Sequence, residues 1–445
     1  MEAVMSDGHT EGTQLRRSLK LWHLVIYGII IIQPTAPMGI YGVVSNLARG
    51  HVATTIAIAM VAMLFTAISY GRMARVYPRA GSAFTYVSEE FHPKAGYVVG
   101  WAMLMDYLLN PIICVIWCSQ AIRNIVPGVP YGFWVVALAL LITFLNTRGI
   151  QTSSRVNAIL SVVMSLVVLL FLGEGLRYIL STVHPTGMDL IRPFYDPATF
   201  STATVLQGTS VAVLTYIGFD GISTMAEEVE NPRRNILLAT VLTCLLIGVL
   251  SIVQVYVAQL AWPADAPFPA SIVDTAFVHV AARVGGTFLF QLLNATLLVA
   301  NLGSAIAAQF GASRLLYSMG RNRSLPERVF AAVESKNRIP RNNVLIVGFI
   351  ALAGAFLLTY QQGAELLNFG AFIAFIGVNA ASLVHYKFRS KEKVTFPVLI
   401  PALGIVVCTF IWIHLSRNAQ FLGIAWIAVG VLVGWLMRAS NRQTA

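Results

Sequence analysis

The chain of 445 residues is 57% hydrophobic and only 11% charged, whereas soluble proteins average roughly 45–50% and 25%. This composition excludes an ordinary soluble globular protein. The formal net charge is +11, but no basic stripe is interleaved with exposed aromatic residues, so the charge does not indicate a nucleic-acid partner.

Long uncharged segments dominate the chain from residues 24–48 near the start to 418–437 near the end. Nearly all of them reach the ~20 residues that cross a bilayer as a helix. One more segment, from residue 95 to about 122, is interrupted only by Asp106, and Glu365 separates the runs 342–364 and 366–384. We therefore predict an all-α membrane protein with twelve transmembrane helices.

The basic residues predict the orientation. With both termini in the cytoplasm, 24 of the 30 Lys and Arg residues lie on the inner side, as the positive-inside rule requires. We expect a multi-pass protein of the plasma membrane, or of a bacterial inner membrane, in contact with the lipid bilayer. Residues 1–20 and 439–445 are predicted to be cytoplasmic tails of a single transmembrane domain at 21–438.

The first uncharged segment is broken at residues 33–37, Gln-Pro-Thr-Ala-Pro. Pro34 removes a backbone donor and ends the incoming half-helix, while the fixed φ of Pro37 suits the first turn of the outgoing one. Gln33 and Thr35 are then left to bond the freed backbone or a ligand. The alternative is an ordinary proline kink with a packing role.

A second break is predicted at residues 216–221, where Gly218 and Gly221 flank Phe219 and Asp220. In hydrocarbon a helix is interrupted only where protein or a water-filled cavity satisfies the freed backbone groups. Two breaks in corresponding places indicate a ligand site near the bilayer midplane. If helices one to five (about 21–180) and six to ten (about 197–388) are repeats, the second is inverted, and helices eleven and twelve (about 394–438) are peripheral.

Asp106 and Asp220 are acids in the middle of predicted spans. A charge at the centre of a membrane helix costs ~2.5–3.5 kcal/mol even on the lenient insertion scale. No Lys or Arg lies near the middle of any span, so each acid is a candidate proton carrier or counter-ion for a cationic substrate. The alternative is a neutral, hydrogen-bonded core role.

The aromatic residues beside these acids favour a cation site more weakly. Tyr107, Tyr216 and Phe219 adjoin the acids, and an aromatic face holds an ammonium group with ~0.5–2 kcal/mol. Aromatic side chains also serve as ordinary packing in membrane helices.

Charged residues surround Asn231 and Pro232 at the predicted cytoplasmic end of the sixth helix. Glu227 and Glu228 precede them, and Arg233 and Arg234 follow. They form either an inner gate that pairs its charges when closed or a solvated helix terminus.

Nothing in the chain indicates an enzyme, a metal site or a cofactor. The eight histidines are scattered, the four cysteines lie inside spans without ligand partners, and no G-x-x-x-x-G-K loop indicates ATP binding.

Four stretches resemble the amino acid–polyamine–organocation superfamily of secondary transporters, with bacterial putrescine importers as the nearest group. They are residues 64–71, 77–86, 218–223 and 313–321. The resemblance implies the LeuT-type five-plus-five inverted repeat, with helices one and six broken and helices three, eight and ten also facing the substrate. It also implies that Asp106 and Tyr107 lie in the substrate-binding part of helix three. The segment from Tyr216 and Ile217 through Gly218 to Gly221 matches the unwound sixth helix of the superfamily. There the resemblance implies that the aromatic residue, Phe219, gates the site and that the acid, Asp220, serves gating or proton coupling.

The first break sets the expected substrate class. Amino acid permeases of the superfamily have a Gly-rich run there that receives an α-carboxylate, whereas residues 33–37 contain no glycine. Putrescine importers have an aspartate shortly after this break, where this chain has Gly39. The sequence predicts a secondary active transporter that imports a small amine or polyamine by alternating access, with H⁺ as the coupling ion and without a cofactor. An amino acid permease or exchanger is the alternative, and a substrate-sensing receptor on the same fold is a third.

Overall fold

The computed structural model describes residues 19–78, 82–149, 154–226, 228–262, 267–321, 325–334, 339–392 and 394–443. Within these ranges the chain is helical, and the one extended pairing is an isolated bridge between Leu19 and Val229. Residues 1–18 of the predicted N-terminal tail lie outside the described residues.

Fifteen α-helices follow one another along the described chain. In order they are α1 Leu21–Ile32, α2 Ala36–Leu47, α3 Val52–Val76, α4 Ser82–Glu90, α5 Pro93–Ile125, α6 Tyr131–Thr147, α7 Ser154–Tyr178, α8 Thr202–Ala212, α9 Pro232–Ala261, α10 Ala276–Arg321, α11 Glu327–Phe330, α12 Arg341–Leu357, α13 Tyr360–Val384, α14 Leu399–Trp412 and α15 Arg417–Gln443. After α8 the chain continues as two 3₁₀ turns, Val213–Tyr216 and Phe219–Met225.

Eight of the described helical segments are long and apolar enough to cross a membrane, and the bent pair α1 and α2 makes a ninth. The shorter apolar helices α6, α12 and α14 contain 17, 17 and 14 residues. At 1.5 Å per residue, 17 residues span ~26 Å, slightly less than the ~30 Å hydrocarbon layer. The described chain is therefore a multi-pass, all-α membrane protein.

The boundary between α12 and α13 differs from the one predicted at Glu365. α12 ends at Leu357 and α13 begins at Tyr360. Thr359 fixes this start, since its hydroxyl accepts a hydrogen bond from the Gln362 amide at 3.2 Å and its own amide donates to Gln362 Oε1 at 3.0 Å, a capping box. Glu365 therefore lies inside α13 and is fully buried, because charge alone does not mark the end of a helix.

One side of the domain is sealed where α2 packs against residues 267–277. Asn46 donates to the Phe268 carbonyl at 2.8 Å and accepts from its amide at 2.9 Å. The ring of Tyr41 meets those of Phe268 and Phe277 edge to face, with centroids 5.6 and 5.3 Å apart. We call these four residues the sealed face.

An ion cluster lies on the opposite side, where α4 meets the end of α13. The buried carboxylate of Glu90 contacts His385 Nδ1 at 2.6 Å and Arg389 Nη1 at 3.2 Å, and it accepts a hydrogen bond from the Tyr77 hydroxyl at 2.8 Å. Burial first, and then the hydrogen bond to Glu90, raises the pKa of Tyr77 to about 12. The cluster fixes the short helix α4 to the end of a long one.

Candidate functional site

The first predicted break is present between α1 and α2, which are bent by 47°. Gln33 ends α1 with φ 72° and ψ 135°, outside the helical region. Its Nε2 donates to the Ala300 carbonyl of α10 at 3.4 Å. The carbonyl of Pro34, freed by the break, accepts from Gln254 Nε2 of α9 at 3.0 Å. Neighbouring helices thus satisfy the backbone that the prolines release, as a break in hydrocarbon requires.

The second predicted break lies between the 3₁₀ turns Val213–Tyr216 and Phe219–Met225. Ile217 is extended with ψ 130°, and Gly218 has φ 117°, a conformation that residues with a side chain rarely adopt. Gly218 also lies against α1, because a Cβ placed there would come within 2.6 Å of Ile31 Cγ2. The two breaks are therefore in direct contact with each other.

A cavity of about 450 Å³ opens beside the two breaks. It is bounded by the second half of α1, the turn that follows Ile217, and one face each of α5, α7 and α10. Its polar lining residues are Tyr27, Gln33, Asp106, Tyr107, Asn110, Asn157, Ser161, Asp220, Thr224 and Ser304. We call it the larger cavity. It lies on the side of the breaks away from the sealed face.

A smaller cavity of about 120 Å³ adjoins it between the breaks and α5, α10 and α13. The two cavities share Ile31, Gln33, Asn110, Ile217 and Ser304 as lining residues. Thr35, Gly39, Asn301 and Tyr360 also line the smaller cavity, but no carboxylate does. We call this space the smaller cavity. The two cavities therefore adjoin each other beside both breaks.

Asp106 and Asp220, predicted from unrelated parts of the chain, line the same larger cavity. Both side chains are partly exposed to it. Among the described residues that line this cavity there is no Lys, Arg or His. Two carboxyl groups without a basic neighbour give the cavity a negative electrostatic potential, which favours a cation.

The position of Asp220 adds a helix-terminal contact. It stands in the first turn after Gly218, and the backbone amides of Gly218, Asp220 and Gly221 lie close to its carboxyl group. Amides at a helix start stabilise an acidic side chain. The backbone of the break thus orients this carboxyl group while it faces the cavity.

Tyr107, Gln33, Ile217 and Gly218 also line the larger cavity, and Thr35 lines the smaller one. The Thr35 hydroxyl lies 3.9 Å from the sulfur of Met164. These five predicted residues are thereby brought together with the two acids.

Tyr216 and Phe219 lie elsewhere. The Tyr216 side chain is fully buried, and its hydroxyl donates to the Ile56 carbonyl at 3.0 Å. The ring of Phe219 packs between Tyr70 and Phe375, with centroid distances of 5.4 and 5.5 Å. Neither residue lines the two cavities, so their roles in binding and gating stay predictions.

The predicted inner gate is not paired among the described residues. Glu227 lies outside the described residues. Glu228 takes part through its backbone, accepting a hydrogen bond from the Leu19 amide at 3.0 Å. No ion pair joins Glu228 to Arg233 or Arg234 in the part of the chain that the structure describes.

The structure adds polar residues that the sequence analysis did not select. Asn110 lies one helical turn after Asp106, and its Oδ1 accepts from Ser304 Oγ of α10 at 3.2 Å. Asn110 can be predicted from the sequence, because residues four apart, such as Asp106 and Asn110, lie on the same face of a helix. Tyr360 reaches the smaller cavity opposite Gly39, since a Cβ on Gly39 would stand 3.3 Å from its hydroxyl.

Small side chains of α10 leave the room for the larger cavity. Ala300, Gly303, Ala307 and Ala308 line it beside Ser304. The spacing of three and four residues puts them on one helix face. A run of small residues at this spacing in the sequence therefore indicates a helix face that leaves room for a ligand.

The start of α2 offers few free donors to an anion. The Ala36 amide donates to the Gln33 carbonyl at 3.2 Å, the Met38 amide donates to the Thr35 carbonyl at 3.0 Å, and Pro37 has no amide hydrogen. A helix start binds anions through its unpaired N–H groups. Here most of them are used or missing, which disfavours a carboxylate at this break.

Comparison with known proteins agrees with this architecture. The chain matches the amino acid permease family over residues 22–437. It is 32% identical to the low-affinity putrescine importer PlaP of Escherichia coli over 95% of this chain and 94% of the relative. It is 23% identical to the branched-chain amino acid permease BcaP of Bacillus subtilis, over 95% and 93% of the two chains. The vacuolar cationic amino acid transporter 4 of Arabidopsis thaliana is 29% identical over 83% of this chain and 63% of the relative.

Proposed function

The chain belongs to the amino acid permease family, a family of transporters and not of enzymes, and we propose that it imports a small amine or polyamine. The observation that carries this proposal is the pair Asp106 and Asp220 on one cavity, with no basic residue among its described lining. A diamine would place one ammonium group near each carboxylate. The similarity to a putrescine importer over 95% of the chain supports the same class of substrate.

The electrostatics of the breaks support a cation over an α-amino acid. α1 and the turn Val213–Tyr216 both end at the breaks, and the last carbonyls of a helix lack intrahelical donors. These ends carry partial negative charge. The start of α2 has Ala36 and Met38 amides already bonded, so a carboxylate group of a substrate would find few donors there.

We propose alternating access as the mechanism. The sealed face closes one side of the breaks, while the larger cavity lies on the other side. In this proposal the protein has twelve spans, with α6, α12 and α14 as the three short ones, and two inverted five-helix repeats. The short helices support this count because they are apolar, and their 14 to 17 residues correspond to ~21–26 Å, a mismatch that local thinning of the bilayer can accommodate. The larger cavity then faces the cytoplasm of a bacterial cell.

Proton coupling is proposed through Asp220 or Asp106. Each is a carboxyl group that reaches the cavity from a membrane helix, and such groups form proton relays in transporters. The contact of Asp220 with the amides at the second break supports it as the group whose protonation is linked to the conformation of the broken helix.

Uptake by purified protein in liposomes tests the proposal. We expect labelled 1,4-diaminobutane to accumulate when the outside is acidic, with butylamine taken up less and neutral α-amino acids not above empty liposomes. Uptake of an α-amino acid without any amine would refute amine import. Binding of amines without flux would identify a receptor instead of a transporter.

An amino acid permease or exchanger is the second candidate. The observation that favours it is the 29% identity to a relative named as a cationic amino acid transporter. A cationic amino acid would also place an ammonium group beside Asp106 and Asp220. Counterflow of labelled lysine against unlabelled lysine in the same liposomes distinguishes this candidate from amine import.

A further inference from the structure

Three arginines gather at the start of α9, away from both cavities. Arg75 near the end of α3 and Arg233 and Arg234 at the beginning of α9 line a recess of about 760 Å³. Asn231 and Pro232 form its floor together with the end of α3. Arg233 and Arg234 are exposed, and neither has an ion-pair partner among the described residues.

Arg75 is held in a fixed position at the wall of this recess. Its Nη2 contacts Glu392 Oε1 at 2.6 Å, while its Nε is enclosed and has no hydrogen-bond acceptor among the described residues. Because Glu392 already pairs with Arg75, the exposed guanidinium groups of Arg233 and Arg234 are the ones available to an oxyanion, and arginine binds phosphate through several N–H groups at once.

A second recess continues from the first into apolar surface. It has a volume of about 430 Å³ and is lined by the same three arginines with Leu237 and Leu238. From Leu238 the exposed face of α9 continues through apolar side chains at helical spacing, namely Leu245, Leu246, Val249 and Val253, which are 36–55% exposed. In a membrane protein such a stripe faces lipid tails.

We propose that this recess binds the phosphate headgroup of an anionic phospholipid, with one acyl chain along Leu238 and the exposed stripe of α9. The guanidinium groups of Arg233 and Arg234 supply the net charge, since that of Arg75 is paired with Glu392, and the start of the 30-residue helix α9 adds partial positive charge at the same place. A soluble phosphate would use the arginines alone. The continuity of the recess with a lipid-facing stripe favours the lipid, and anionic headgroups gather at basic faces of membrane proteins.

Native mass spectrometry of the full chain in detergent, titrated with phosphatidylglycerol, tests this site. The double variant Arg233→Gln/Arg234→Gln removes two exposed charges, and we expect it to weaken lipid binding roughly 5- to 30-fold, from the typical contribution of a basic residue at an anionic surface. The matched control is Arg321→Gln/Arg328→Gln, which removes two exposed charges at the end of α10 and on α11, away from the recess, and should change binding by less than about twofold. Thermal melting of all variants checks that they are folded.

Two further arms separate the sources of the phosphate. Leu238→Gln should weaken phosphatidylglycerol binding without changing the charge of the recess, and inorganic phosphate should not displace the lipid. Equal losses in the two double variants would overturn the site, because they would indicate general surface charge. Displacement by inorganic phosphate together with an unaffected Leu238→Gln variant would overturn the lipid assignment in favour of free phosphate.

Discussion

Replacing Asp106 by asparagine tests whether the two acids share one substrate. The variant removes one of two carboxyl groups on the larger cavity and keeps the size of the side chain. A hydrogen bond to a charged group contributes about 1.5–3 kcal/mol, and 1.4 kcal/mol is a factor of ten in affinity. Because Asp106 is partly exposed, water competes for the ammonium group and the lower half of this range applies. We expect KM for 1,4-diaminobutane to rise about 10- to 50-fold.

Butylamine provides the internal comparison for this variant. It carries one ammonium group, which the remaining carboxyl of Asp220 can hold, so its KM should rise less than about threefold. Asp189→Asn is the matched control, since it removes a carboxyl group that lines neither cavity and lies outside the sealed face. The measurement is the initial rate of labelled amine uptake into liposomes. Equal increases in KM for the two amines, or an effect of Asp189→Asn as large as that of Asp106→Asn, would refute the shared-substrate reasoning.

Three further changes address coupling, the second break and the sealed face. Asp220→Asn should abolish uptake driven by a pH gradient while the protein stays folded, and unchanged gradient-driven uptake would remove Asp220 from the coupling mechanism. Gly218→Ala should lower the free energy of unfolding by roughly 2–4 kcal/mol, because its φ is 117° and an added Cβ would overlap with α1. Gly221→Ala is the control and should have a much smaller effect. Equal melting temperatures of the two variants would contradict this prediction. Asn46→Ala removes both hydrogen bonds to Phe268. It should therefore raise the labelling rate of a cysteine probe placed beyond the sealed face by several-fold. An unchanged labelling rate would count against closure by this contact.

The helical membrane fold could be predicted because charge is costly in hydrocarbon, so uncharged runs mark spans. The same rule misplaced the start of α13. Glu365 is fully buried inside that helix and accepts from Gln361 Nε2 at 2.9 Å. A carboxyl group with a local donor can lie within a helix, and only the capping box at Thr359 marks the true boundary.

Part of the site was predictable for the same physical reason. Asp106, Asp220 and Gln33 were selected because an ionisable group or a freed backbone in a span needs a partner, and the structure brings all three to one cavity. Asn110 and Ser304 were missed because small polar residues are common in membrane helices. The directions of Tyr216 and Phe219 depend on the irregular backbone at Gly218, for which sequence periodicity gives no rule.

The two halves of the site next to the larger cavity are physically joined. The Leu19 amide donates to the Glu228 carbonyl at 3.0 Å, and the Glu230 amide donates to the Leu19 carbonyl at 2.9 Å. Further along, the Tyr27 hydroxyl is within hydrogen-bond reach of Thr224. These contacts tie α1 to the segment after the second break. A rearrangement that closes the larger cavity therefore has to move both pieces together or break these hydrogen bonds, at a cost of about 0.5–1.5 kcal/mol each. Because each piece ends at one of the two contacting breaks, moving them as one body bends the chain only where its helices are already interrupted.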